Sequence, residues 1–110
     1  MTLISFKSVL ERLRGSAPMD TKVVVRRKSL PHGEMGHCIK RTDGSFSITV
    51  SNFKNWTREE LVEELQNQIL IHEYSHVLSW DRGSAKTSHH GVFFAAGYHQ
   101  AYSSVFPPEE

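Results

Sequence analysis

The chain is short of most features that mark a specialised class. It has one cysteine, Cys38, so no internal disulfide can hold it together, and a reducing, cytoplasmic (intracellular) setting is expected. No apolar run approaches the ~18–20 residues that cross a bilayer, so no membrane contact is expected. The opening residues, MTLISFKSVLERLRG, lack the basic region and long apolar stretch of a secretory signal. No repeat or low-complexity tract is visible. Glycine and proline, seven and four residues, are too sparse for a fibrous or disordered chain. Net charge is nearly absent, with 13 Lys+Arg against 12 Asp+Glu. What remains, at 110 residues with 38% hydrophobic and 23% charged, is one soluble globular domain over residues 1–110.

The small net charge conceals a split. Residues 1–55 carry ten Lys+Arg and four Asp+Glu, while residues 56–110 carry three and eight. The basic excess gathers at Lys22, Arg26, Arg27, Lys28, Lys40 and Arg41. Such residues discourage edge-to-edge strand pairing. They also make a weak nucleic-acid contact through Arg26, Arg27 and Lys28 the alternative reading.

Hydrophobic spacing sets out the elements. Leu3, Phe6, Leu10 and Leu13 form one helical stripe, with Thr2 as its cap and Gly15, Ser16 and Pro18 as its stop. Lys22 to Arg27 holds three valines and reads as a strand; Leu30 to Gly36 reads as a loop. His37–Arg41 and Ser45–Val50 flank Asp43-Gly44, a hairpin signature. In the second run Phe46, Ile48 and Val50 alternate with Ser45, Ser47 and Thr49, which predicts one buried face and one that is wet or near a site. Thr57 and Glu60 form a capping box, and Trp56 with Leu61 a hydrophobic staple. They open a helix expected from Arg58 to Ser79, about 33 Å long. Its apolar stripe runs through Val62, Leu65, Ile69, His72, His76 and Trp80. A last helix is expected from His90 to Ser104, with Phe94, Tyr98, Ala101 and Val105 in line with His90 and Pro107-Pro108 as its stop. The expected fold class is α+β, in the order α-β-β-β-α-α, with a small three-stranded sheet on the long helix.

What the chain does have is histidine, seven in all. Two sit in His72-Glu73-Tyr74-Ser75-His76, the HExxH pattern. Helix positions four apart lie about 40° apart and one turn apart in height, so both imidazoles can reach one ion. Glu73, offset by about 100°, can stand beside the ion without ligating it. Zn2+ lowers the pKa of its water toward ~7, so that Glu73 can act as general base and then pass the proton to a leaving amine. A catalytic zinc needs a third protein ligand. The candidates are His89, His90, His99 and Asp81. His90 is the foremost, because it opens a helix on the stripe of Phe94 and Tyr98 and precedes Gly91, which allows close backbone approach. Neighbouring histidines diverge in direction, which makes His89 a candidate substrate contact.

The motif His72-Glu73-Tyr74-Ser75-His76, then Trp80-Asp81, then His90-Gly91-Val92-Phe93-Phe94 resembles the SprT-like branch of zincin metallopeptidases, especially its small phage-type members. The resemblance covers roughly residues 57–104. It implies a minimal zincin-like metallopeptidase core, a zinc ion on His72, His76 and His90, and hydrolysis of peptide bonds in a protein or peptide substrate. It also implies a strand that lines the cleft and pairs with the substrate; Ser45–Val50 is the natural choice, and His37–Arg41 the other. The chain has no Met-turn segment, no HExxHxxGxxH and no paired-cysteine zinc ribbon.

Other residues carry weaker expectations. Tyr98 and Tyr102 read as core aromatics at helical spacing, with Tyr98 the candidate transition-state contact. Asp81 can orient a ligating histidine or cap a turn. Cys38 reads as a small buried apolar residue, and His32 and His99 as surface histidines. Two rival functions stand beside the peptidase: a non-catalytic module stapled by zinc, and a nucleic-acid-associated factor on a protease scaffold.

Overall fold

A computed structural model describes residues 4–17, 19–30, 34–52, 62–80 and 92–107. Its elements follow the expected order: α1 (Phe6–Ser16), β1 (Val23–Arg27), β2 (Gly36–Lys40), β3 (Phe46–Val50), α2 (Glu63–Ser79) and α3 (Val92–Val105). The α+β class and the three-stranded sheet stand as expected.

The sheet order is β1-β3-β2. β2 and β3 form the antiparallel hairpin that Asp43-Gly44 predicts, with Cys38 opposite Ile48. Gly44 takes a φ of 90°, a conformation that favours glycine, and the Asp43 carboxylate accepts from the Ser45 amide at 2.9 Å. β1 joins the far side of β3 in parallel, Val25 opposite Ile48. β3 is therefore central, and all five of its residues are buried. This corrects the expectation of one wet face: Ser47 and Thr49 are buried, flanked on their face by the side chains at Val24 and Arg26 of β1 and at His37 and Ile39 of β2.

α2 packs on β2 and β3, with α1 and α3 against it. The core joins Phe6, Val9 and Leu13 of α1 to Phe46, Ile48 and Val50 of β3, to Leu70, Ile71, Tyr74 and Val77 of α2, and to Ala101 and Val105 of α3. Polar side chains tie these elements together. Arg12 donates to the Val105 carbonyl at 2.7 Å, Arg14 to Val23 at 2.8 Å, and the buried Tyr74 hydroxyl to Ala17 at 2.7 Å.

Two helix starts differ from expectation. Ser5, not Thr2, caps α1, its hydroxyl accepting from the Ser8 amide at 3.1 Å. The long helix begins at Glu63 rather than Arg58, because Val62 is extended. Tertiary bonds explain this start. The Glu63 carboxylate accepts from the Phe6 amide at 3.0 Å, Gln66 donates to Ser51 at 3.0 Å, and Asn67 donates to Ile4 at 2.8 Å. The expected capping box and staple at residues 56–61 lie outside the described residues. Among the described residues no helix is long and apolar enough to cross a membrane.

Candidate functional site

The face of α2 that enters the core is Leu70, Ile71, Tyr74 and Val77. The stripe expected there, Leu65, Ile69, His72, His76 and Trp80, is only half-buried, and Val62 is exposed. α2 lies between the sheet and two helices, so its polar residues Gln66, Asn67, Ser75 and Ser79 are buried too. With little solvent to define an outer face, periodicity alone selects the wrong stripe.

Its first part, Leu65, Ile69 and His72, forms the wall of a cleft instead, while Trp80 packs edge-on against Phe46. Leu65, Gln68, Ile69, His72 and Glu73 of α2 enclose a volume of about 460 Å³ with Met35, Gly36 and Tyr98. The His72 and His76 rings lie 5.1 Å apart, centroid to centroid, at 74° to each other. Two imidazoles on one tetrahedral zinc, each centroid about 3.2 Å from the ion, would stand about 5.2 Å apart. The spacing is compatible with a shared ion and equally with an edge-to-face contact of the two rings. Phe94 of α3 closes the group, its ring 5.1 Å from His72 and 4.6 Å from His76.

Glu73 lies against Gly36 of β2, lines the same cleft as His72 and is 8% exposed. Burial, and then the charge of Glu34, push its pKa up to about 7. A cation held beside it would act in the opposite sense and favour the carboxylate. Gly36 lets β2 approach α2 closely here: a Cβ there would stand 2.5 Å from Ile69 Cγ2, with Glu73 Cγ at an ordinary 3.4 Å. Burial and the Glu73 charge push the Cys38 thiol up to about 12, so it stays protonated and inert at neutral pH. That agrees with its reading as a packing residue.

His72, Glu73, His76 and Tyr98 are thus brought to one place. Of the expected third ligands, Asp81, His89 and His90 lie outside the described residues, as does His32. His99 is exposed on α3. Among the described residues no group of three or more His, Cys, Asp or Glu side chains is placed to hold a metal ion.

Several expectations are corrected. Tyr98 and Tyr102 are not core residues: they are 39% and 46% exposed. Ser45–Val50 cannot offer a free edge to a substrate, because β3 is hydrogen-bonded on both sides. The alternative strand, Gly36–Lys40, is an edge of the sheet. The Ser51 amide donates to Met35 and the Arg41 amide to Ser45, so odd-numbered residues of β2 bond β3 and the main-chain groups of Gly36 and Cys38 point the other way. Arg27 has partners within the chain. Its guanidinium meets Gln66 at 3.3 Å and Glu63 at 3.7 Å and lies 4.5 Å over the Phe6 ring. Arg26 and Lys28 are exposed. Sequence reasoning missed Gly36, Glu34 and Met35 as parts of the site; only the pairing of β2 with β3, and its packing on α2, put them there.

No known protein-family model, curated protein or solved structure matches this chain.

Proposed function

We propose that this chain is a small zinc-dependent peptidase of zincin-like architecture, with His72, His76 and His90 as ligands and Glu73 as general base. The observation that carries the reading is the pair of imidazoles 5.1 Å apart, the first of them on a cleft wall beside the buried Glu73 carboxylate. His90 is the proposed third ligand because it stands four residues before Phe94, whose ring touches both imidazoles. A bound zinc would polarise the scissile carbonyl and acidify a water toward a pKa of ~7. The Glu73 carboxylate would serve as the proton carrier, accepting a proton from the attacking water and returning it to the leaving amine. The Tyr98 hydroxyl, on the same cleft, is the proposed donor to the developing oxyanion. The β2 edge, through the main chain of Gly36 and Cys38, pairs with an extended substrate. One free thiol and no disulfide suit an intracellular setting.

The stapled-module reading is less well supported. α3 is already anchored without a metal, by fully buried Ala101 and Val105 and by the Arg12 bond to Val105. Metal analysis of the purified protein is expected to show about one zinc per chain, lost in His72→Ala, His76→Ala and His90→Ala. Glu73→Gln is expected to keep the zinc and lose cleavage of an unfolded protein substrate. Cleavage that survives Glu73→Gln, or a protein that takes up no zinc, overturns the proposal.

A further inference from the structure

α3 is unusual for a helix with so much exposed surface: between Val92 and Val105 it carries no Lys, Arg, Asp or Glu. Beside Val92, Ala95, Ala96, His99 and Gln100 it exposes a row of aromatic rings. Phe94, Tyr98, Tyr102 and Phe106 follow at intervals of four, each ring against the next at 6.2, 6.0 and 5.1 Å. A row of this spacing turns by about 40° per step around a helix. It therefore starts inside and winds outward: Phe94 is 8% exposed, Tyr98 39%, Tyr102 46% and Phe106 42%. Tyr98 belongs both to this row and to the cleft wall with His72 and Glu73.

We propose that this row is a recognition rail for an extended, uncharged polypeptide segment with apolar side chains at alternate positions, continuing the cleft along α3. This rests on the peptidase reading and names its substrate class. Three observations select that occupant. The rail is continuous with the cleft through Tyr98. Its ring spacings approach the ~6.6 Å between side chains on one face of an extended chain. And its roughly 18 Å length fits about six residues of such a chain. A nucleic acid would stack on aromatics too, but it needs cations beside them, and α3 supplies none. Alternating apolar residues are the mark of β-strands that have lost their sheet, so unfolded or misfolded protein is the substrate class.

The test uses zinc-loaded Glu73→Gln protein and two fluorescein-labelled ten-residue peptides of the same valine and threonine composition, one alternating and one in blocks. Fluorescence anisotropy is expected to show roughly tenfold tighter binding of the alternating peptide. Tyr102→Ser with Phe106→Ser is expected to abolish that preference, and Tyr102→Phe to keep it. Should the double variant fail to fold by circular dichroism, Phe106→Gln, at the end of the helix, carries the test. Equal affinity for the two peptides, or a folded variant with undiminished preference, overturns the proposal. So does a wild-type dimer in sedimentation that Phe106→Gln dissociates with peptide binding unchanged, since the rail then serves a second copy. Binding is read without turnover. Wild-type protein that binds the alternating peptide but cleaves nothing overturns the peptidase reading alone; cleavage without the preference overturns the rail alone.

Discussion

Replacing Gly36 by alanine places a methyl group 2.5 Å from Ile69 Cγ2, 3.3 Å from the Thr49 carbonyl oxygen and 3.4 Å from Glu73 Cγ. The first contact is about 1 Å inside the ordinary range of 3.5–4.0 Å. β2 and α2 must therefore move apart, or Ile69 must leave its rotamer, at a cost of about 1–3 kcal/mol. Loss of glycine's freedom in the unfolded chain offsets about 0.4–1 kcal/mol of this, since Gly36 does not take a positive φ. The net expectation is a loss of about 1–2 kcal/mol, or a melting temperature lower by roughly 4–12 °C. The diagnostic experiment is a double-mutant cycle with Ile69→Ala, read by urea unfolding. Ile69→Ala alone costs about 2 kcal/mol at this half-buried site. It also removes Cγ2, so in that background Gly36→Ala becomes neutral or stabilising. That change of sign is a coupling of about 1–3 kcal/mol between the two positions. If the two substitutions add, the close approach of β2 to α2 is wrong, and with it the geometry that seats Glu73.

Three further outcomes are expected. The folded pKa of Glu73, about 7, lies above its ordinary value of 4.5, so its contribution to the stability of the metal-free protein is full below pH 4.5 and lost as pH rises through 7. Urea unfolding between pH 4.5 and 8 should show a fall on the order of 3 kcal/mol that Glu73→Gln lacks; identical profiles refute the burial argument. Tyr74→Phe removes the 2.7 Å bond to the Ala17 carbonyl and should cost about 1–3 kcal/mol in a thermal melt, because that acceptor is left in the core. Cys38 should resist a thiol reagent at pH 8 in the folded protein and react fully in denaturant; rapid native labelling contradicts a thiol held near 12.

Part of this architecture was legible because it depends on local rules. Asp43-Gly44 predicts a tight hairpin wherever it falls between strand-like runs, and β2 and β3 pair around it. The placing of Phe94 and Val105 on the inner side of α3 followed from spacing alone. Positions that depend on what lies opposite were misread. Tyr98 and Tyr102 were expected in the core, but their row winds away from α2 toward solvent. The start of α2 was expected at a strong local cap; bonds from Glu63, Gln66 and Asn67 to distant segments set the first described turn instead.

By itself the sequence determined the element order, the hairpin and the HExxH spacing, since helical pitch brings His72 and His76 to one face in any environment. Packing between segments set the rest: β3 is interior and β2 is an edge strand, Arg27 lies near Glu63, and Gly36 must be small to pass Ile69. The reason is that pitch is a property of one segment, whereas burial, edge position and close approach are properties of the segments packed against it.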